Sequence, residues 1–228
     1  MYSNPTGYTY SDETVRRFAA LKPAARDFRV IWDNAYCVHH IYDTHDSLMN
    51  IFEAAAEYGT EDNFIEVCST SKITYPGSGV AALAASDANI AAVKKRMTVQ
   101  TIGYDKLNEK RHAAFFGDKA GIERHMLRHA EILRPKFDSV LSAFDKHLAG
   151  KGIAAWTKPN GGYFISLDVY PGCAKRTVQL CKEAGVTLTG AGATYPYGKD
   201  PEDKNIRIAP TFPSRRTLQG GRDTLLMR

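Results

Sequence analysis

Paired cysteines are missing from this chain: Cys37, Cys68, Cys173 and Cys181 include no C-x-x-C pair, and none has histidines at zinc-site spacing. That sets aside a disulfide scaffold and a cysteine-held metal, and the expectation is a reduced, cytoplasmic compartment. Long apolar runs are missing too. The longest weakly polar stretch, residues 80–85, is far too short to span a bilayer, and Met1-Tyr2-Ser3-Asn4-Pro5-Thr6-Gly7 has no basic-then-apolar leader pattern. Neither secretion nor a membrane partner is expected. A strong charge of one sign is also lacking, since 30 basic and 25 acidic residues leave a net charge of +5. The densest basic runs, Lys94-Lys95-Arg96 and Arg215-Arg216, read as solvated faces and not as a nucleic-acid site, while anionic small substrates stay compatible.

What is present is an ordinary globular composition: 228 residues, 43% hydrophobic and 24% charged, enough for one large domain or a domain and a half. Ser11 or Asp12 can cap a helix with Val15, Phe18, Ala19 and Leu21 on one face, which Pro23 ends. Residues 28–32 form a short run with β-branched members that stops at Asp33, as in a strand buried in a parallel sheet. A helix over residues 48–58 closed by Gly59, strands over 64–68 and 80–85, and a helix over 86–96 with the basic triplet in its last turn complete an α/β alternation. From residue 105 to 148 apolar residues recur at helical spacing, interrupted by Gly117 and by Pro135, which should kink or divide the tract; it suits a connector between domains. Strands over 154–157 and 163–167, a helix over 174–184, and strands over 186–188 and 206–208 then predict a small α+β domain.

The chemistry concentrates where the run Phe64-Ile65-Glu66-Val67-Cys68 gives way to Ser69-Thr70-Ser71-Lys72, followed by Pro76-Gly77. A lysine at the mouth of a sheet can form a Schiff base with an aldehyde cofactor, and hydroxyls one and three residues before it can hold that cofactor's phosphate. Pyridoxal phosphate suits this layout. In an open α/β sheet, ligands bind beyond the carboxyl ends of the strands, where Asp33 and Lys72 both fall. Asp33 can hold a protonated pyridine nitrogen, because a carboxylate favours the charged form of a base beside it. Tyr36 can point its phenol at the ring's 3-oxygen, and Asn4 can donate an amide proton there. Taken singly, Asp33 reads as a loop cap, Tyr36 as a core aromatic and Asn4 as a turn residue; their joint occurrence in this order points to a site. His39, His40, His125 and His129 read as surface or packing residues, without a carboxylate or third ligand that would make a metal site.

Four stretches, Asn4-Pro5-Thr6-Gly7, Asp33-Asn34-Ala35-Tyr36, Ser69-Thr70-Ser71-Lys72 and Asn205-Ile206-Arg207-Ile208-Ala209-Pro210, stand in the order and rough spacing of the class I aminotransferases, which they resemble. Lys158-Pro159-Asn160-Gly161-Gly162-Tyr163-Phe164-Ile165 and residues 192–200 look more specifically like a bacterial aspartate aminotransferase subgroup. The resemblance implies fold type I of the pyridoxal phosphate enzymes: a three-layer α/β large domain, here incomplete, and a small C-terminal α+β domain. The implied domains are residues 1–115 for the second half of the large domain, 116–150 for a connecting helix, 151–214 for the small domain and 215–228 for an atypical tail lacking the apolar period of a closing helix.

The implied reaction moves an amino group between an amino acid, aspartate, and a 2-oxo acid, 2-oxoglutarate, in a homodimeric full-length form. Lys72 would carry the cofactor and move a proton at the substrate Cα; Asp33 would hold the pyridine nitrogen, Tyr36 and Asn4 the 3-oxygen, Ser69 and Ser71 the phosphate, and Arg207 the substrate α-carboxylate, with Asn4 beside it. Arg96 lies in a plausible region for a distal carboxylate. Two departures stand out. The arginine that the family usually carries about eight residues after the lysine is replaced by Gly77-Ser78-Gly79-Val80, so Ser78 or backbone amides of the glycine turn would take its part. The chain also opens inside the Asn-Pro-Thr-Gly motif, which reads as a fragment whose sheet would be left with exposed edges and apolar faces. The same residues would also serve a β-lyase or an aminotransferase-like effector domain of a transcription factor.

Overall fold

Residues 1–211 are described in this computed structural model, and they form two units. The first comprises Met1, Thr9–Val38 and Ser47–Met126; the second comprises Tyr2–Tyr8, His39–Asp46 and Leu127–Arg228, of which 127–211 are described. The predicted tail over 215–228 lies outside the described residues.

In the first unit, helix α1 (Asp12–Ala19) starts where the Ser11 hydroxyl accepts the Thr14 N–H at 3.2 Å, with Asp12 and Glu13 in the first turn to suit the helix dipole. Strand β1 (Val30–Asp33) pairs in parallel with β2 (Phe64–Ser69), and β3 (Ala81–Ala85) adds to β2 antiparallel. Helix α2 (Ile51–Ala56), capped by Asn50, shares a core with α1 and one face of this sheet: Val15, Ala19, Trp32, Ile51, Ala54, Ala55 and Phe64 are buried together. Phe18 meets Trp32 edge-on, with centroids 5.8 Å apart. The opposite face is a correction to the expected buried strands. Register aligns Ile31 with Ile65 and Val67 with Leu83, yet Ile31 is 59% and Leu83 40% exposed, so the alternation of strand side chains leaves an uncovered apolar face. Helices α3 (Asp87–Gln100) and α4 (Lys106–Phe116) follow. The basic triplet lies a turn before the end of α3, which runs on to Gln100.

Helix α5 (Lys119–His147) belongs to the first unit up to Met126 and to the second from Leu127. Gly117, at φ +72, ends α4 as anticipated, but α5 runs through Pro135, whose missing N–H costs one helical bond on the side of the exposed Glu131. In the second unit β4 (Ala154–Trp156), β5 (Ile165–Val169) and β6 (Asn205–Ile208) form an antiparallel sheet in that order, with α6 (Ala174–Glu183) between β5 and β6 in sequence. Residues 186–188, expected as a strand, join no ladder. Phe137, Val140 and Phe144 of α5 pack with Ile165, Leu167, Ile206, Ile208 and Ala174 in one buried cluster. Because strand side chains alternate, burying Ile165, Leu167, Ile206 and Ile208 turns Ser166, Asp168, Asn205 and Arg207 to the other face.

Truncating Phe137 in this core should cost about 3–5 kcal/mol in urea denaturation. Leu127, 61% exposed on the same helix, should cost no more than about 0.5 kcal/mol as Leu127→Ala, and equal losses for the two would show that the cluster is not the core of the unit.

Candidate cofactor and substrate site

Parallel pairing sets Asp33 opposite Val67, so β1 and β2 release their chains at the same edge of the first sheet. There the Asn34 N–H donates to the Val67 carbonyl at 2.9 Å, its amide donates to Glu66 Oε1 at 2.8 Å, and the Met1 ammonium donates to its Oδ1 at 2.9 Å. Asp33 Oδ1 accepts the Ala35 N–H at 3.1 Å, a local turn that fixes the carboxylate at the strand end. Tyr36 is buried, and the Lys72 ammonium stands 5.7 Å from its ring centroid, within cation–π range. Asp33 enters no ion pair among the described residues.

Lys72 rides on a single helical turn. The Ile73 and Thr74 N–H groups both donate to the Thr70 carbonyl, at 2.9 and 2.8 Å. Thr70 is tied to the returning chain by its N–H to the Val80 carbonyl at 2.9 Å, and its Oγ1 accepts the Val80 N–H at 2.8 Å. Ser69 Oγ accepts the Ser71 N–H at 3.4 Å. Gly77 takes φ +81 in the turn, a region that favours glycine. At Gly79 an added Cβ would lie 2.5 Å from Ser71 Oγ and 2.9 Å from Ser71 N, so the hydroxyl turn and the glycine turn are in direct contact.

Residues that the sequence did not mark support this turn. Asn108 of α4, itself buried, donates from Nδ2 to the Ser78 carbonyl at 2.7 Å, and His112 Nε2 lies 3.0 and 2.9 Å from the hydroxyls of Thr70 and Thr74. His125 Nε2 donates to the Ile73 carbonyl at 2.8 Å while its ring meets Phe115 and Phe116 edge-on, a packing role as expected. No local pattern signals these contacts, because each spans 30 or more positions of sequence.

The second unit holds Asn4 and Arg207. Gly7, at φ +70, closes the Asn4-Pro5-Thr6-Gly7 turn by donating to the Ser3 carbonyl at 2.6 Å, and it packs on Pro159 with no room for a Cβ. Arg207 Nη1 donates to Asn4 Oδ1 at 3.2 Å, which leaves the Asn4 amide N–H groups as donors. The guanidinium lies 4.5 Å from the Phe164 ring centroid, and its Nε–H is buried with no acceptor among the described residues. A buried charged donor left unpaired is costly, and an incoming carboxylate relieves that cost. Beside it Asn205 is a hub: Nδ2 donates to Ser166 Oγ at 2.8 Å and Asp168 Oδ1 at 2.6 Å, Oδ1 accepts from Thr194 Oγ1 at 2.7 Å, and the backbone N–H donates to Asp200 Oδ2 at 2.8 Å. Desolvation pushes the Asp200 carboxyl up, but the N–H groups of Asn205, Lys204 and Glu202 outweigh it and leave the group below its ordinary value. Arg96 is exposed on α3, in the first unit.

The chain matches a known family: the model of aspartate amino-transferase covers residues 1–225. The chain belongs to that family. A candidate aminotransferase of Mycolicibacterium smegmatis is 51% identical over 214 residues, which are 94% of this chain and 50% of that protein. An aspartate aminotransferase of Corynebacterium glutamicum is 44% identical over 223 residues, 98% of this chain and 52% of that one. The crystal structure of an aspartate transaminase from Corynebacterium glutamicum superposes with a TM-score of 0.96 at 44% identity, over 99% of this chain and 53% of the other. The chain thus spans about half the length of the relatives it matches, and its fold is that of fold type I aminotransferases.

The close approach of Gly79 to Ser71 makes a family-specific stability prediction. Gly79→Ala should destabilise the chain by about 1–3 kcal/mol in thermal or urea unfolding, whereas Gly103→Ala, with no atom within 4 Å of the added carbon, should stay within about 0.5 kcal/mol. A neutral Gly79→Ala would mean that the two turns separate freely.

Proposed function

We propose that this chain carries the cofactor-anchoring lysine and the carboxylate-binding arginine of a pyridoxal phosphate-dependent aminotransferase acting on aspartate and 2-oxoglutarate, homodimeric in its full-length form. The observation that carries the reading is the approach of Lys72 to Tyr36 at the sheet edge that also bears Asp33, in a member of this family. The residues fit the cofactor: Asp33 offers a carboxylate for a pyridinium, Tyr36 a phenol, Ser69, Ser71 and Ser78 hydroxyls for a phosphate, and Asn4 an amide donor. When bound, pyridoxal phosphate supplies an electron sink that weakens the bond between the substrate Cα and its proton.

The protein's own groups do the rest. Lys72 would tether the cofactor, and its Nζ would move a proton between the substrate Cα and the cofactor's C4′, as general base and then as general acid. Asp33 would favour the protonated form of the ring nitrogen, since a carboxylate beside a base favours its charged form. Arg207, braced by Asn4 and stacked on Phe164, grips the α-carboxylate through its fork, a planar task that lysine performs poorly. Arg96 is the proposed contact for the distal carboxylate of aspartate.

The purified chain mixed with pyridoxal phosphate should show a visible absorption band that is absent in Lys72→Ala and that shifts on adding aspartate. A band of equal strength in Lys72→Ala would sink the assignment of Lys72. In the same titration Arg207→Lys should raise half-saturation for aspartate and alanine alike by ~10-fold, about 1.4 kcal/mol, while Arg96→Gln should raise it for aspartate only. Equal effects of Arg96→Gln on both amino acids would remove Arg96 from the substrate site, and release of pyruvate or ammonia in place of 2-oxo acid exchange would point to a lyase.

A further inference from the structure

We infer that His112 and Asn108 of α4 are positioning residues for Lys72 and for the Ser78 phosphate turn, a role that rests on the cofactor reading above. The Nδ1 of His112 lies 2.9 Å from the Asn108 backbone carbonyl, which can only accept, so Nδ1 carries a proton. Two hydroxyls converge on Nε2, Thr70 Oγ1 at 3.0 Å and Thr74 Oγ1 at 2.9 Å. Thr70 Oγ1 also accepts the Val80 N–H, and Thr74 Oγ1 stands between Nε2 and the Thr70 carbonyl, 3.1 Å from the latter. One imidazole thereby touches both ends of the turn whose middle residue is Lys72.

The returning leg is held from the same helix. Asn108 Nδ2 donates to the Ser78 carbonyl, its Oδ1 accepts from Arg111 Nη2 at 3.1 Å, and its own N–H is capped by Asp105 at 3.0 Å. Thus α4 fixes the Lys72 leg through His112 and the Ser78 leg through Asn108, four residues apart on one helical face. The need for such bracing follows from the residues at hand, since residues 73–80 contain no lysine or arginine. A point cation binds phosphate from many positions, but hydroxyls and backbone N–H groups bind it only when their directions are set in advance. With Gly77-Ser78-Gly79 in that place, the preorganisation has to come from elsewhere, and α4 is the element that touches both legs.

The test compares the whole chain with His112→Phe, which keeps the ring against Phe116 but removes both nitrogens, and with His112→Gln, whose amide oxygen can again accept from the hydroxyls. Hydrogen exchange of the peptide spanning residues 69–81 is read without cofactor, and pyridoxal phosphate affinity is read from the Lys72-dependent band. His112→Phe should speed exchange of the Ile73, Thr74 and Val80 amides by ~10-fold with exchange in α1 and β1 unchanged, and weaken cofactor binding by a similar factor, with recovery in His112→Gln. Exchange and affinity both within about twofold of the parent would overturn the inference, as would faster exchange with unchanged affinity, since His112 would then merely pack the turn. If His112→Phe loosens the whole chain, Thr74→Val, which removes one hydroxyl at nearly constant volume, decides in the same way. Absence of a Lys72-dependent band in the parent would overturn the cofactor reading, and the exchange of residues 69–81 would then decide the bracing alone.

Discussion

Everything that gives this chain a candidate site depends on the parallel pairing of β1 with β2. Pairing Val30 through Asp33 with Phe64 through Val67 brings two strand ends, one bearing a carboxylate and one running into a lysine, to a single edge. An antiparallel pair would have sent Asp33 and Lys72 to opposite ends of the sheet. The pairing is fixed by burial on one face only: Trp32 and Phe64 pack against α1 and α2, and a slip of one residue would turn them outward. The meeting of Asp33, Tyr36 and Lys72 at one sheet edge is therefore a by-product of where two aromatic side chains find their core.

The second unit solves a different problem, that of presenting a charged fork. Alternation along β5 and β6 buries four aliphatic residues against α5 and leaves Ser166, Asp168, Asn205 and Arg207 on the other face. Asn205 satisfies its polar neighbours internally, whereas Arg207 keeps one buried N–H without an acceptor among the described residues. Satisfied and unsatisfied donors two positions apart on one strand differ in what they can do: the first holds the strand, and the second stays available to an acceptor.

The turn at residues 69–80 is held by close contacts between its two legs. The glycine at position 79 lies so near Ser71 that no side chain fits, and Gly77 adopts a conformation that side chains rarely take. From α4, His112 and Asn108 reach back to both legs of the turn.

Local chemistry was legible in the sequence. A cap at Ser11 or Asp12, a helix break at Gly117, and strands expected over 28–32 and 64–68 and found as Val30–Asp33 and Phe64–Ser69 follow from residue types and spacing, because capping, alternation and turn preferences act over a few positions. One reading failed where local propensity competed with packing: residues 186–188 are strand-like in composition but join no ladder. At Pro135 α5 is not divided, since its buried face from Phe137 to Phe144 outweighs one lost hydrogen bond. The face bearing Ile31 and Leu83 is exposed, although the strands had read as buried. The sequence by itself determined which residues could do the chemistry and on which elements they stand. Only the tertiary structure decided that Lys72 meets Tyr36, that Arg207 leans on Asn4 and Phe164, and that His112 and Asn108 brace the lysine turn, since these are contacts between residues far apart along the chain and no local rule encodes them.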